Sequence, residues 1–145
     1  MARTRALDPA IPDLADRLGL AVVRLARLLR QQDEGELTPT MRATLGTIGR
    51  DGPLTLGELA AAERVAPPTI TKVVGKLEEA GLVSREVDAG DRRVARVSLS
   101  PAGRRWLDVD RARRRDWLTD QVHRLHVDDV DRLHAAVDVI ERLSR

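Results

Sequence analysis

Cysteine is absent from this 145-residue chain. That excludes disulfides, thiolate-held metals, nucleophilic cysteines and thiol redox sensing. Phe and Tyr are absent too, so Trp106 and Trp117 are the whole aromatic complement, and a core has to be built from Leu, Val, Ile and Ala. No apolar run approaches the ~18 residues of a membrane span, and the residues after Met1-Ala2-Arg3-Thr4-Arg5 form no apolar signal core. A cytoplasmic protein without membrane contact is expected. The chain shows no phosphate-binding glycine loop, metal-ligand motif or nucleophile elbow, so neither an enzyme nor a cofactor is expected. Excess charge is scarce as well, with a net of only +2.

What is present is informative in its arrangement. Hydrophobic residues make up 42% of the chain, too many for a disordered polymer. The length fits one domain or two small interlocked parts. Residues 85–115 carry ten Arg against five acids, whereas residues 116–145 carry four Arg against seven. A basic middle followed by an acidic end points to an anionic partner for the middle, against the plainer reading of a solvated charged face.

Apolar positions Leu14, Leu18, Ala21, Leu25 and Leu28, widened by Val22 and Leu29, predict an amphipathic helix over 13–30. Thr38-Pro39 opens a second helix as N-cap and first helical residue, and that helix stops near Gly52-Pro53. Thr55-Leu56-Gly57-Glu58 is a capping box for a short third helix ending near Arg64. Pro67-Pro68 begins a fourth helix with Ile70, Val73, Val74 and Leu77 on one face, and Gly81 is its left-handed cap. Runs 82–87 and 94–99 read as a hairpin around the polar turn 88–93. Ser100-Pro101 starts a long helix to about Leu125, with an almost wholly charged centre between Asp108 and Asp116. A final helix has Asp128 and Asp129 in its first turn and Val130, Leu133, Val137 and Ile140 on one face.

Segment 54–99 carries the functional signal. A short helix, a tight turn and a second helix form a helix-turn-helix, and the charged hairpin behind it is a wing. Opposite the apolar face, the second helix presents Pro68, Lys72 and Gly75, flanked by Thr69, Thr71 and Lys76. Lys72 and Lys76 are the only lysines in the chain. Such side chains suit phosphates and base edges; the bland alternative is a polar face in water. The hairpin offers Asp91, Arg92, Arg93 and Arg96, and an arginine at a loop tip suits the narrow minor groove.

Several stretches carry a resemblance to a known family. They are Leu56-Gly57-Glu58-Leu59-Ala60, Pro68-Thr69-Ile70-Thr71-Lys72-Val73-Val74 and Leu77-Glu78-Glu79-Ala80-Gly81-Leu82-Val83-Ser84-Arg85. The most specific is Asp91-Arg92-Arg93 followed by Val97-Ser98-Leu99-Ser100 and Gly103. With these, the chain resembles the MarR (multiple antibiotic resistance regulator) family, and the order of helices extends the likeness over nearly its whole length. The resemblance implies a mainly α fold with a small β-hairpin: a winged helix-turn-helix, residues 35–103, flanked by N- and C-terminal dimerisation helices, residues 1–34 and 104–145. It implies a homodimer on a palindromic double-stranded DNA operator, often a repressor, often released by a small aromatic or anionic ligand. It makes Arg93 the wing arginine and Asp91 the aspartate that orients it. One departure is Ala66-Pro67-Pro68, which replaces the usual small polar residues at the start of the recognition helix.

Other signals are weaker. His123, His126 and His134 raise the question of metal, but their spacing makes surface histidines the expectation. Trp106 and Trp117, eleven residues apart, fall on one face of the long helix and either pack the core or line a ligand pocket. The arginines at 111 and 113–115 alternate with acids as on an exposed ion-paired face, with Asp110 and Arg114 at i, i+4 spacing. A winged-helix module for protein–protein contact, or a nonspecific DNA-binding protein, is the competing functional class.

Overall fold

The computed structural model describes residues 10–32, 35 and 37–144. It divides into two compact units: the described residues of Met1–Glu34 with those of Arg114–Arg145, and Gly35–Arg113.

The Gly35–Arg113 unit begins with α2, Pro39–Asp51; α1, Ala10–Gln31, belongs to the other unit. The Thr38 hydroxyl accepts the Met41 N–H at 3.3 Å and Pro39 fills the first turn, as the sequence predicts. Met41, Leu45 and Ile48 fall on one face and are buried. Strand β1, Leu54–Thr55, leads into α3, Leu56–Glu63, through a reciprocal capping box. The Thr55 N–H donates to Glu58 Oε2 at 2.7 Å, and the Glu58 N–H donates to Thr55 Oγ1 at 3.1 Å. Helix α3 ends on Arg64 in the left-handed region, φ 53°, which turns the chain sharply toward α4, Pro67–Glu79. Helix α4 closes at Gly81, φ 73°, with Leu82 N–H reaching back to Leu77 O at 2.9 Å.

Strands β2, Val83–Val87, and β3, Ala95–Leu99, pair antiparallel from Val83↔Leu99 to Val87↔Ala95. Strand β1 adds to the other side of β3 at Leu54↔Val97 and Thr55↔Arg96, giving a sheet of order β1-β3-β2. The predicted hairpin is therefore two strands of a three-stranded sheet. Val97 sits at its centre and is fully buried with Leu45, Leu59, Ile70, Val74 and Leu77. Burying each such side chain contributes about 1.5–3 kcal/mol. Helix α5, Pro101–His123, starts under a Ser100 cap whose hydroxyl accepts the Gly103 N–H at 2.9 Å. Gly103 packs so closely on the Leu82 carbonyl that a Cβ there would overlap it.

In the other unit, neither α1 nor α6, Val127–Leu143, has a buried residue. Leu14, Val22, Leu25 and Leu28 on α1, and Leu133, Val137 and Ile140 on α6, stand exposed. The His126 side chain caps α6 by accepting the Asp128 N–H at 3.4 Å. No helix among the described residues is long and apolar enough to cross a membrane.

Candidate nucleic-acid interface

Helix α4 is two-faced because its apolar residues repeat at helical spacing. Ile70, Val73, Val74 and Leu77 are buried, while Pro68, Thr69, Thr71, Lys72 and Lys76 are exposed. Gly75 is half-buried, yet nothing lies within 4 Å of where its Cβ would stand, so that stretch of backbone can be approached closely. Pro67 and Pro68 carry no N–H, and the Thr69 N–H is bonded to Ala66 O at 2.9 Å. The start of α4 therefore has little of the backbone donor capacity that helix N-termini usually direct at phosphate. Contacts fall to side chains. The Thr71 hydroxyl donates to Pro67 O at 2.9 Å, and its oxygen can still accept a hydrogen bond. Thr69, Lys72 and Lys76 line one wall of a groove of about 270 Å³, and Thr38, Thr40 and Met41 at the start of α2 line the other.

The hairpin turn is organised by two aspartates. Asp88 Oδ1 accepts the N–H groups of Gly90 at 2.8 Å and Asp91 at 3.3 Å, while the Asp88 N–H reaches Val94 O at 2.8 Å. Asp91 Oδ1 accepts the Arg93 backbone N–H at 3.0 Å. Its carboxylate also accepts two bonds from the Arg93 guanidinium, Nε at 3.1 Å and Nη2 at 3.3 Å. The Arg93 side chain is nonetheless 90% exposed, so it is aimed without being covered. Those bonds, the guanidinium's first, hold the Asp91 carboxyl below its usual range. Arg92 is exposed beside it.

Arg96 differs from the other wing arginines. Its Nε donates to Asp88 Oδ2 at 2.7 Å, and its Nη1 lies 3.5 Å from Glu58 Oε2 on α3. Bonding to Arg96, then to the Gly90 N–H, keeps Asp88 below the ordinary carboxylate range. Glu58 is lowered chiefly by its bonds with Thr55, and Arg96 is raised in turn, chiefly by Asp88. Arg85 on β2 pairs with Glu78 at the end of α4 at 3.1 Å.

Helix α5 departs from the sequence reading at Asp110. That residue is expected on a solvated charged face. It is buried, and its Oδ1 accepts from Arg42 Nη1 at 3.0 Å. Gly103, Leu107 and Asp110 are the buried residues of α5; their i, i+4, i+7 spacing was the available signal, masked by the charges around it. Arg42 also donates from Nε to Leu37 O at 3.2 Å and stacks over Trp106, 5.1 Å from the ring centroid. Trp106 is half-buried against the winged core, and Trp117 is half-buried in the other unit. Among the described residues no group of three or more His, Asp or Glu is placed to hold a metal ion.

A protein-family model described as the MarR family matches residues 37–95. An HTH-type transcriptional regulator of Mycobacterium leprae is 37% identical over 131 residues, covering 90% of this chain and 92% of its own. A crystal structure of a Pseudomonas aeruginosa protein superposes with TM-score 0.85 at 34% identity, covering 95% of this chain and 98% of that one. A MarR family protein of Bacillus stearothermophilus has the same fold, with TM-score 0.82 at 22% identity, covering 97% of this chain and 100% of its own.

Proposed function

This chain belongs to the MarR family, and from that premise we propose that it is a cytoplasmic transcriptional repressor that binds a palindromic DNA operator as a homodimer. The observation that carries the reading is the pairing of two surfaces in one unit. Helix α4 exposes Lys72 and Lys76, and the hairpin after it exposes Arg93 on an Asp91 carboxylate. Lys72, Lys76, Thr69 and Thr71 are the major-groove set, with Pro68 and Gly75 allowing close approach. Arg92 and Arg93 are the minor-groove set.

The second copy of the chain is proposed to cover the exposed apolar residues of α1 and α6. Residues 1–34 and 104–145 thus serve dimerisation and residues 35–103 serve DNA binding. Two-fold symmetry would place the recognition helices about 34–36 Å apart, one turn of the duplex. A small aromatic or anionic ligand is proposed to release the operator, and Trp106 and Trp117 are the residues whose emission would report it. Since these are the only aromatic residues, ligand binding would be read directly in the protein's intrinsic fluorescence.

The test is selection of bound duplexes from a random library. A specific regulator prefers its selected site over random DNA by roughly 10³-fold or more. Equal affinity for all sequences would leave a nonspecific DNA-binding protein, and no DNA affinity would leave the protein–protein module.

A further inference from the structure

We propose that Arg96 is a positioning residue for the wing: it makes no contact with DNA, and by tying Asp88 to Glu58 it sets where Arg93 stands relative to α4. The proposal rests on the reading of residues 88–93 as a DNA-contacting wing.

The sheet explains why a positioning residue is needed. Strand β1 pairs with β3 only at Val97 and Arg96. Beyond Arg96 the ribbon has two strands, and its last pair is Val87↔Ala95. A two-stranded ribbon twists more than a wider sheet and is marginally stable alone. Left to itself, the turn would not hold one direction. Arg96 stands at the last three-stranded register, and its guanidinium spans the change. One arm reaches Asp88 at the foot of the turn, at 2.7 Å, and the other reaches Glu58 on α3, at 3.5 Å. The planar fork of arginine suits two carboxylates at once, which a lysine ammonium does not reproduce.

Both anchors are themselves fixed. Glu58 Oε2 also accepts the Thr55 N–H at 2.7 Å, within the cap of α3. The second oxygen of Asp88 holds the Gly90 and Asp91 N–H groups, and Asp91 holds Arg93. A continuous run of polar contacts thus leads from the start of α3 to the wing guanidinium. The 3.5 Å contact is long for a hydrogen bond, so the Asp88 arm is the stronger one. A phosphate approaching Arg96 would meet a charge already faced by two carboxylates, unlike Arg93, whose side chain is 90% exposed.

Asp88→Asn separates positioning from direct contact by sign. Asparagine keeps an oxygen for the turn N–H groups and loses the charge that holds Arg96. If Arg96 touched phosphate, removing this acid would free it, and DNA binding would tighten or stay unchanged. If Arg96 positions the wing, affinity for the selected operator falls by about three- to tenfold. Arg96→Lys retains a positive charge and should nevertheless behave like Arg96→Ala. Arg96→Ala should add nothing in an Arg93→Ala background, since it acts through that residue.

A readout without DNA is available because the chain has no cysteine. A spin label on Ala89→Cys at the exposed tip should become more mobile when Asp88→Asn or Arg96→Ala is added, with the melting transition of each variant checked alongside. Weaker binding with Asp88→Asn, failure of Arg96→Lys to rescue, non-additivity with Arg93→Ala and a more mobile label support the proposal. Tighter or unchanged binding with Asp88→Asn, wild-type affinity with Arg96→Lys, additive losses or an unchanged label overturn it. If Arg93→Ala weakens operator binding while Asp88→Asn does not, the wing reading stands and the positioning role alone falls. If the wild-type protein selects no sequence, both fall together.

Discussion

Arg42 on α2 and Asp110 on α5 are separated by 68 positions in the chain and meet at 3.0 Å, with their side chains only 7% and 6% exposed. The pair fastens the first half of α5 to the winged unit, and the Trp106 ring lies against the same guanidinium. Removing one partner leaves the other charge buried. Asp110→Ala is therefore expected to destabilise the protein by about 3–5 kcal/mol. Replacing both, Arg42→Met with Asp110→Leu, should cost clearly less than the single change. Urea unfolding of the single and double variants checks this, and equal losses in both would contradict it.

Gly75 and Gly103 are expected to respond oppositely to alanine. A Cβ at 103 would meet the Leu82 carbonyl, which is backbone and cannot turn aside; Gly103→Ala should destabilise by about 1–3 kcal/mol. A Cβ at 75 meets nothing, and alanine favours a helix interior over glycine by about 1 kcal/mol. Gly75→Ala should raise the melting temperature and yet weaken DNA binding, since the added methyl would stand on the face proposed to meet DNA. Melting curves and operator titrations on the same samples decide it, and Gly75→Ala with unchanged affinity would argue against that approach.

The wing should keep its order in mild acid. Glu58, Asp88 and Asp91 all have carboxyls lowered by their hydrogen bonds. A carboxylate lowered in the folded state gives its contribution above its unfolded pKa and loses it only as pH falls through the lower, folded value. Between about pH 7 and pH 5, above ordinary carboxylate pKa values, the Arg93–Asp91 pair should not change. The Arg93 Nε–H resonance should keep its shifted position over that window. Its loss on going from about pH 6 to pH 5 would be inconsistent with these bonds.

Much of this fold is legible because its signals are local. Thr38-Pro39, the Thr55–Glu58 box, Gly81 and the polar turn 88–93 each act within a few residues, and each stands where the sequence puts it. Strand β1 escaped because two residues carry no periodicity and pair only through β3. Asp110 escaped because its partner lies on another helix and its neighbours are charged. Arg96 was legible as a wing cation, but its two carboxylate partners come from the turn and from α3, a convergence that spacing along one chain does not display.

The apolar residues of α1 and α6 give a prediction about assembly. Leu25 and Val137 are exposed in the single chain, and the proposed second copy would cover them. Leu25→Glu or Val137→Glu should yield monomers in sedimentation at micromolar concentration, with the winged unit still folded and operator affinity reduced. A wild-type protein that sediments as a monomer under those conditions would contradict the dimer.

The central claim is that α4 reads the major groove while the wing reads the minor groove, and library binding at several salt concentrations tests it most directly. Lys72→Ala should change which bases are preferred and weaken operator binding by about 1–3 kcal/mol if its contact is bidentate to a base. Arg93→Ala should leave the major-groove preference intact, lower affinity across sequences of the same groove width, and flatten the salt dependence by roughly 0.9 per phosphate neutralisation lost in each subunit. A change in major-groove preference with Arg93→Ala and an untouched salt slope, or wild-type selection by Lys72→Ala, would contradict the account.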